Sequence, residues 1–277
     1  MAVRPLTGRV AAEQAAAAIR GSLGRHGIAL LPAMDAHETL DLCLRTGLDV
    51  RCTMLDPWYN KGVGGVRDDY DAFVARLLEQ SAAVGEHVYL WGFPEIVARH
   101  VDRLPVGLSL VAWLTWYYKN NPSVIRGWRS AQMTCLHLAR PGARLHPEHF
   151  LNERQEEKQR QGKLRYLPGP PSVIEGHLDV IEESLLVGFV GRDEQTGHPA
   201  QKPRRVFETL LQMVLEEGDV VLDPLCGSGT TGEAARALGC RSILADHDEG
   251  YVAVAARRLG IAPVDLPAAL LAAQAPP

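Results

Sequence analysis

The chain has 277 residues, 46% of them apolar, enough for a large core in one domain or one domain with an elaboration. Its net charge of -4 excludes a uniformly basic nucleic-acid coat, although Lys and Arg gather between Lys119 and Arg165, where ten of them meet four Glu. Five cysteines without C-x-x-C spacing argue against a disulfide framework or a metal site, and no apolar run reaches the roughly 18 residues of a membrane span.

The start is alanine-rich with Arg4, Arg9 and Arg20 and lacks the continuous apolar stretch of a signal peptide, so a cytoplasmic protein with reduced thiols is expected. Residues 10–23 and 37–45 are predicted helices, with a short extended piece at 27–31 between them. A strand at 50–55 runs into Asp56-Pro57-Trp58-Tyr59-Asn60 and a glycine-rich loop at 61–65. Phe73, Val74, Leu77 and Leu78 take one face of a helix at 70–83. Strands at 87–91, 108–117 and 133–138 and a helix at 94–103 continue the alternation. Residues 141–171 are polar and poor in core residues, and the charged run 153–163 reads as a solvated helix or loop. Apolar content returns at 180–190. A connector at 197–203 and a helix at 205–215 follow, and an Ala/Pro-rich tail closes the chain. Alternating strands and helices predict an α/β sheet with helices on both faces. His146-Pro147-Glu148-His149 has two imidazoles and a carboxylate but an interrupting proline and no further ligand, and no metal is expected there.

One stretch carries more chemistry than the rest. Val220, Val221 and Leu222 read as a buried strand that Asp223-Pro224 stops. Cys226-Gly227-Ser228-Gly229 is a turn of small residues where backbone can approach a ligand, and Thr230 or Thr231 can cap a helix at 233–238. A second buried strand, 242–245, ends in Asp246, an acid placed to accept hydrogen bonds from ribose hydroxyls. No lysine follows the last glycine and the spacing is not G-x-G-x-x-G, so a nucleoside ligand without pyrophosphate fits better than ATP or NAD.

The run D-P-L-C-G-S-G-T-T-G-E-A-A, with A-D-H-D-E-G-Y-V-A-V-A-A-R-R-L after it, resembles motifs I and II of the S-adenosylmethionine-dependent DNA amino-methyltransferases. Asp56-Pro57-Trp58-Tyr59 resembles their motif IV, usually D-P-P-Y, with Trp58 as the departure. Residues 115–122 are similar to motif VIII, and His198-Pro199 with Gln201-Lys202-Pro203 to motif X. The catalytic motif comes first and the cofactor motifs last, the order of the family's beta group.

The resemblance implies a permuted Rossmann-like fold, mainly parallel, with a catalytic half at about 27–122, a target-recognition region at 123–196 and a cofactor half at about 197–260. It implies S-adenosylmethionine as cofactor, lined by Lys202, Asp223, Pro224, Cys226, Gly227, Ser228, Gly229, Thr230 and Thr231, with Asp246 and His247 at the ribose. The substrate is expected to be double-stranded DNA whose flipped base meets Asp56, Pro57, Trp58 and Tyr59, with Trp116 or Tyr117 against it. An exocyclic amine is a poor nucleophile because its lone pair is delocalised into the ring. Two acceptors for its hydrogens, a carboxylate and a proline-fixed carbonyl, turn that lone pair toward a methyl donor. Arg126, Arg129, Arg140, Arg144 and Lys163 are candidates for DNA contacts. Asp at position 56 favours adenine N6 over cytosine N4 in this family. A non-catalytic binding subunit is the reading of another class, and RNA is the lesser alternative substrate. A homodimer and a cognate restriction endonuclease are the partners the resemblance suggests.

Overall fold

The computed structural model describes residues 4–60, 65–118, 124–125, 127–129, 131–175, 194–196 and 201–268. Arg126, the apolar segment at 180–190, most of the 197–203 connector and the end of the tail lie outside the described residues.

Alanines carry the first helix, α1 (Arg4–His26), down onto the sheet through Ala15, Ala16, Ile19 and Leu23. It leads into β1 (Ile28–Leu30). Asp35 caps α2 (Ala36–Thr46) through the His37 amide at 2.8 Å, and Gly47, at φ 59°, ends it. Strand β2 (Cys52–Leu55) precedes α3 (Tyr70–Val84) and β3 (His87–Gly92). The predicted helix at 94–103 is one α turn, α4 (Pro94–Val97), that tightens into a 3-10 helix (Ala98–Arg103). Strand β4 (Ser109–Tyr117), a hairpin of β5 (Val124–Ile125) and β6 (Trp128–Arg129), and β7 (Gln132–Ala139) come next. The charged run forms a solvated helix, α5 (Glu153–Arg160), started by a capping box between Asn152 and Gln155. It is followed by β8 (Val173–Glu175). Then α6 (Arg204–Val214) leads to β9 (Val220–Asp223), α7 (Thr230–Ala237), β10 (Arg241–Leu244) and α8 (Glu249–Leu259).

Among the described residues eight strands form one sheet in the order β1-β10-β9-β2-β3-β7-β4-β8. The first five are mutually parallel; β7 alone runs against its neighbours β3 and β4. Side chains alternate between two cores. Leu55, Leu90, Leu136 and Leu222 face α1, α2 and α3, whereas Met54, Trp91, Cys135 and Val221 face α6 and α7. Helix α6 is amphipathic, burying Val206, Phe207, Leu210, Leu211 and Val214. Each of those side chains contributes about 1.5–3 kcal/mol of apolar transfer free energy before ordering costs. The fold is therefore the expected mixed, mainly parallel α/β sheet covered on both faces.

Two expectations need correction. Residues 132–139 are not part of a peripheral recognition insertion: β7 lies inside the sheet between β3 and β4. Helix α7 begins at Thr230, not 233, and its N-cap is Gly229 at φ 82°, with no side-chain cap. The threonines are used elsewhere.

Candidate active site

From β9 the chain crosses to β10 on one side, while β2, the neighbour on the other side, leads to β3. Strand order thus reverses between β9 and β2. At such a point the loops after adjacent parallel strands diverge and leave a crevice at their carboxyl ends. Cys52 pairs with Val221 and Thr53 with Leu222. The register brings Asp56, after β2, and the turn after β9 to the same edge. They line one cavity of about 310 Å³.

One wall is the glycine turn. Asp223 accepts from the Leu225 amide at 3.0 Å and from the Thr231 hydroxyl. Burial, with Asp56 and Asp246 nearby, pushes its carboxyl up to about 7 despite those bonds. Asp246 Oδ2 accepts from the Gly227 amide at 2.9 Å, and Oδ1 from the Asp248 amide at 3.0 Å. This carboxylate ties the end of β10 to the turn and still has lone pairs for hydroxyl donors. Gly229 is held in the left-handed region, where a Cβ would meet Leu259 at 3.1 Å. Burial raises the Cys226 thiol well above its ordinary value, so it lines the wall as an inert apolar group. His247 is exposed beside Asp246, its Nδ1 at 3.2 Å.

The opposite wall is the tetrapeptide. Asp56 Oδ2 accepts from Lys202 Nζ, whereas Oδ1 is buried without a hydrogen-bond partner among the described residues. The Tyr59 hydroxyl receives a second Lys202 proton at 3.0 Å, and Phe93 backs its ring at 4.8 Å. Burial first, then Asp56, pushes the Tyr59 phenol up to about 12, so it stays neutral. Trp58 turns its indole toward Tyr70 and Phe73, at 5.3 and 5.2 Å, and Nε1 donates to the Gly65 carbonyl at 3.2 Å. The Tyr70 hydroxyl donates to the Trp58 carbonyl. The indole thus braces the loop after the motif as well as lining the cavity.

Of the residues singled out from the sequence, Asp56, Pro57, Trp58, Tyr59, Lys202, Asp223, Cys226, Gly227, Ser228, Thr230, Thr231, Asp246 and His247 line this cavity. Pro224 and Gly229 shape the turn behind it. Gln201, Leu225 and Tyr251, which stand inside the quoted motifs but were given no role, also line it, as does Phe207, which lies outside them. Arg258, on α8, has no role implied by the motif it stands in. It donates to Ser228 Oγ at 3.1 Å and Thr230 Oγ1 at 3.0 Å and pairs with Glu233 at 2.6 Å, bracing the turn from α8.

Three expected contacts with base or DNA are displaced. Trp116 is 1% exposed and sits edge-on to Trp91 in the core beneath the cavity. Arg140 donates to the Ala82 carbonyl at the far edge of the sheet. Arg144, at the same far edge, pairs with Glu148 at 3.3 Å and Glu216 at 3.2 Å. His146, Glu148 and His149 gather there within 4.8 Å of one another, with the Arg144 cation already on the carboxylate. Tyr117 is half-buried at the end of β4, outside the cavity. Arg129 is on the hairpin strand β6, which joins β4 and β7 at the cavity's edge of the sheet.

The family model for N6/N4 methyltransferases, described as DNA methylase, matches residues 75–257. The chain belongs to this family. Within it, the chain is 45% identical over 62 residues to the type II methyltransferase M2.DpnII of Streptococcus pneumoniae, covering 22% of this chain and 23% of that protein. It is 26% identical over 154 residues to M.HpaI of Haemophilus parainfluenzae, covering 56% and 46% respectively. It thus spans less than half the length of these curated relatives. The M1.HpyAVI-SAM complex superposes with a TM-score of 0.63 at 20% identity, over 84% of this chain and all of that one. The cytosine-N4-specific PvuII DNA methyltransferase does so with a TM-score of 0.59 at 17% identity, over 84% and 88%. Both share the fold. Among the described residues no helix is long and apolar enough to cross a membrane.

Proposed function

We propose that the protein is an S-adenosylmethionine-dependent DNA methyltransferase that takes a base out of the duplex and methylates its exocyclic amine, adenine N6 in preference to cytosine N4. The cofactor fits the donor set of the glycine wall. The Gly227 and Gly229 backbone allows close approach, Asp246 suits a ribose diol, and the carboxylates suit a cationic sulfur. When bound, S-adenosylmethionine supplies a methyl group on an electrophilic sulfonium.

The chain's own residues act on the amine. Asp56 Oδ1 accepts one N–H and the Pro57 carbonyl the other, which draws the nitrogen toward a tetrahedral shape and turns its lone pair away from the ring. Tyr59, with Phe93 behind it, offers a ring face for stacking. The proton that alkylation makes acidic lies on Asp56 Oδ1. The base reaches such a pocket only by leaving the helix. A single observation carries this reading. A buried carboxylate oxygen without a partner among the described residues costs free energy unless a donor arrives, and the residue that carries it, Asp56, lines the same cavity as the glycine turn.

Adenine is supported by the carboxylate at position 56 and by the 39% identity over 70 residues to the DNA adenine methyltransferase YhdJ of Escherichia coli strain K12. The shared fold with the cytosine-N4-specific enzyme keeps cytosine as the second reading. Labelled methyl transfer to duplex DNA is expected, and it disappears in Asp56→Ala while cofactor binding persists. Transfer that survives in the alanine variant refutes the role of Asp56. Nucleoside mass spectrometry is expected to find N6-methyladenine; N4-methylcytosine alone refutes the adenine assignment. Cofactor and DNA binding with no transfer by the wild type would identify a non-catalytic subunit instead.

A further inference from the structure

Lys202 is the most buried cation at the site, its side chain 2% exposed, and it arrives from just before α6 rather than from the catalytic segment. Its ammonium reaches two members of the tetrapeptide at once, Asp56 Oδ2 and the Tyr59 hydroxyl, and lies 5.1 Å from the centre of the Trp91 ring. Burial opposes its charge, yet Asp56 and Tyr59 outweigh that and hold its pKa above the ordinary lysine value. Two of its three protons and its open face are therefore committed. A lysine engaged in this way is poorly placed to hold the methionine end of a cofactor, the role the motif resemblance implies for it.

We propose that Lys202 is a positioning residue for methyl transfer. By engaging Asp56 Oδ2 and Tyr59 together, it fixes the carboxylate so that Oδ1 is the oxygen turned to the target amine. The inference rests on the reading of Asp56 as the amine's acceptor. A carboxylate is symmetric and can rotate about its last bond, so the acceptor oxygen is undefined until one of the two is held. Lys202 removes that freedom and, by the same contact, ties the acceptor to the Tyr59 ring. It also offsets one of the three carboxylates, Asp56, Asp223 and Asp246, that border the cavity. Thr230 Oγ1 lies 3.5 Å from the Lys202 carbonyl, so the backbone carrying the ammonium is tied to the glycine turn. One residue thus links the acceptor, the stacking ring and the cofactor wall.

The test compares Lys202→Met, Lys202→Arg and Lys202→Gln in the full chain. It reads single-turnover methyl transfer to DNA, cofactor affinity by titration and thermal melting. Met fills the space of the aliphatic stem without a donor; Arg restores the cation but is bulkier. The expected result is a transfer rate lowered about 100-fold in the Met variant, with cofactor affinity kept within about threefold and a higher rate in the Arg variant. A merely space-filling lysine gives the reverse order, Met above Arg, and that order overturns the proposal. So does a wild-type rate in the Met variant. Should Met unfold the protein, shown by lost cofactor binding, the Gln variant decides: transfer equal to wild type overturns the proposal and a lowered rate supports it. Asp56→Ala in the same assay separates the two layers. If it retains transfer, the acceptor reading fails. If it loses transfer while the lysine variants keep it, only the role of Lys202 fails.

Discussion

Asp223 combines a fixed structural duty with a titration near neutrality. Both of its oxygens accept bonds within the turn it starts, yet it is 3% exposed and its carboxyl sits near 7. An acid whose folded pKa is raised favours the folded state most below its unfolded value of 3.8, and that advantage is lost as pH rises through about 7. An amide in its place can accept from Leu225 and donate to Thr231 without ever charging. Asp223→Asn is thus expected to flatten the pH profile: from pH 5 to pH 8, wild-type stability should fall relative to the variant by roughly 2–3 kcal/mol. Urea unfolding at the two pH values measures this, and parallel curves refute it. The same residue marks how far single positions were legible. Asp56, Asp223 and Asp246 stand beside prolines, glycines or strand ends whose chemistry can be read along the chain. Lys202 and Arg258 act on partners 146 and 30 residues away in the chain; the motif around Lys202 marks it for the cofactor wall, and nothing local points to its contact with Asp56 or to that of Arg258 with Ser228.

Helix α7 owes its position to a glycine that no ligand needs to touch. A Cβ at Gly232 would come within 2.7 Å of Leu244 on β10 and 3.2 Å of Leu259 on α8, so α7 lies against the sheet only because that position is bare. Gly232→Ala forces the helix outward and takes Thr230 and Thr231 with it. The expected cost is about 1–3 kcal/mol of stability, with weaker cofactor binding in calorimetry. Unchanged stability together with unchanged affinity refutes this account of the packing. The strand-turn-helix unit was readable because its apolar runs, turn residues and spacing are all local. The start of α7 was not, since Thr231 serves Asp223 instead of capping the helix. Strand β4 shows a second limit. Period-two alternation places Trp116 and Tyr117 on opposite faces but does not say which face holds the deeper core. The α6 side took Trp116, together with Trp91 and Phe207.

The direction of β7 decides where the molecule can meet DNA. A parallel strand would end at the cavity's edge of the sheet; β7, pairing antiparallel with β3, starts there at Gln132 and ends at the far edge with Ala139. Residues soon after it are carried away from the site, which is why Arg140 and Arg144 sit against Ala82, Glu148 and Glu216. Strand polarity of this kind is a property of pairing and leaves no trace in composition, so the basic excess of residues 119–165 overstated the charge available to a phosphate backbone. Part of the remainder is also offset locally, since Arg160 of α5 pairs with Glu157 at 2.8 Å. The hairpin of β5 and β6 leaves β4 and returns to β7 at the cavity's edge, and it carries Arg129 beside the 84%-exposed Trp128. If DNA lies across that edge, Arg129 meets phosphates and Arg144 does not. Each phosphate contact releases about one counterion, so Arg129→Ala is expected to lower the slope of log affinity against log salt by about one, and Arg144→Ala to leave it unchanged. Fluorescence anisotropy on duplex DNA over a salt series reads both slopes. A flattened slope for Arg144→Ala alongside an unaltered one for Arg129→Ala would place the duplex against the opposite edge, away from Asp56.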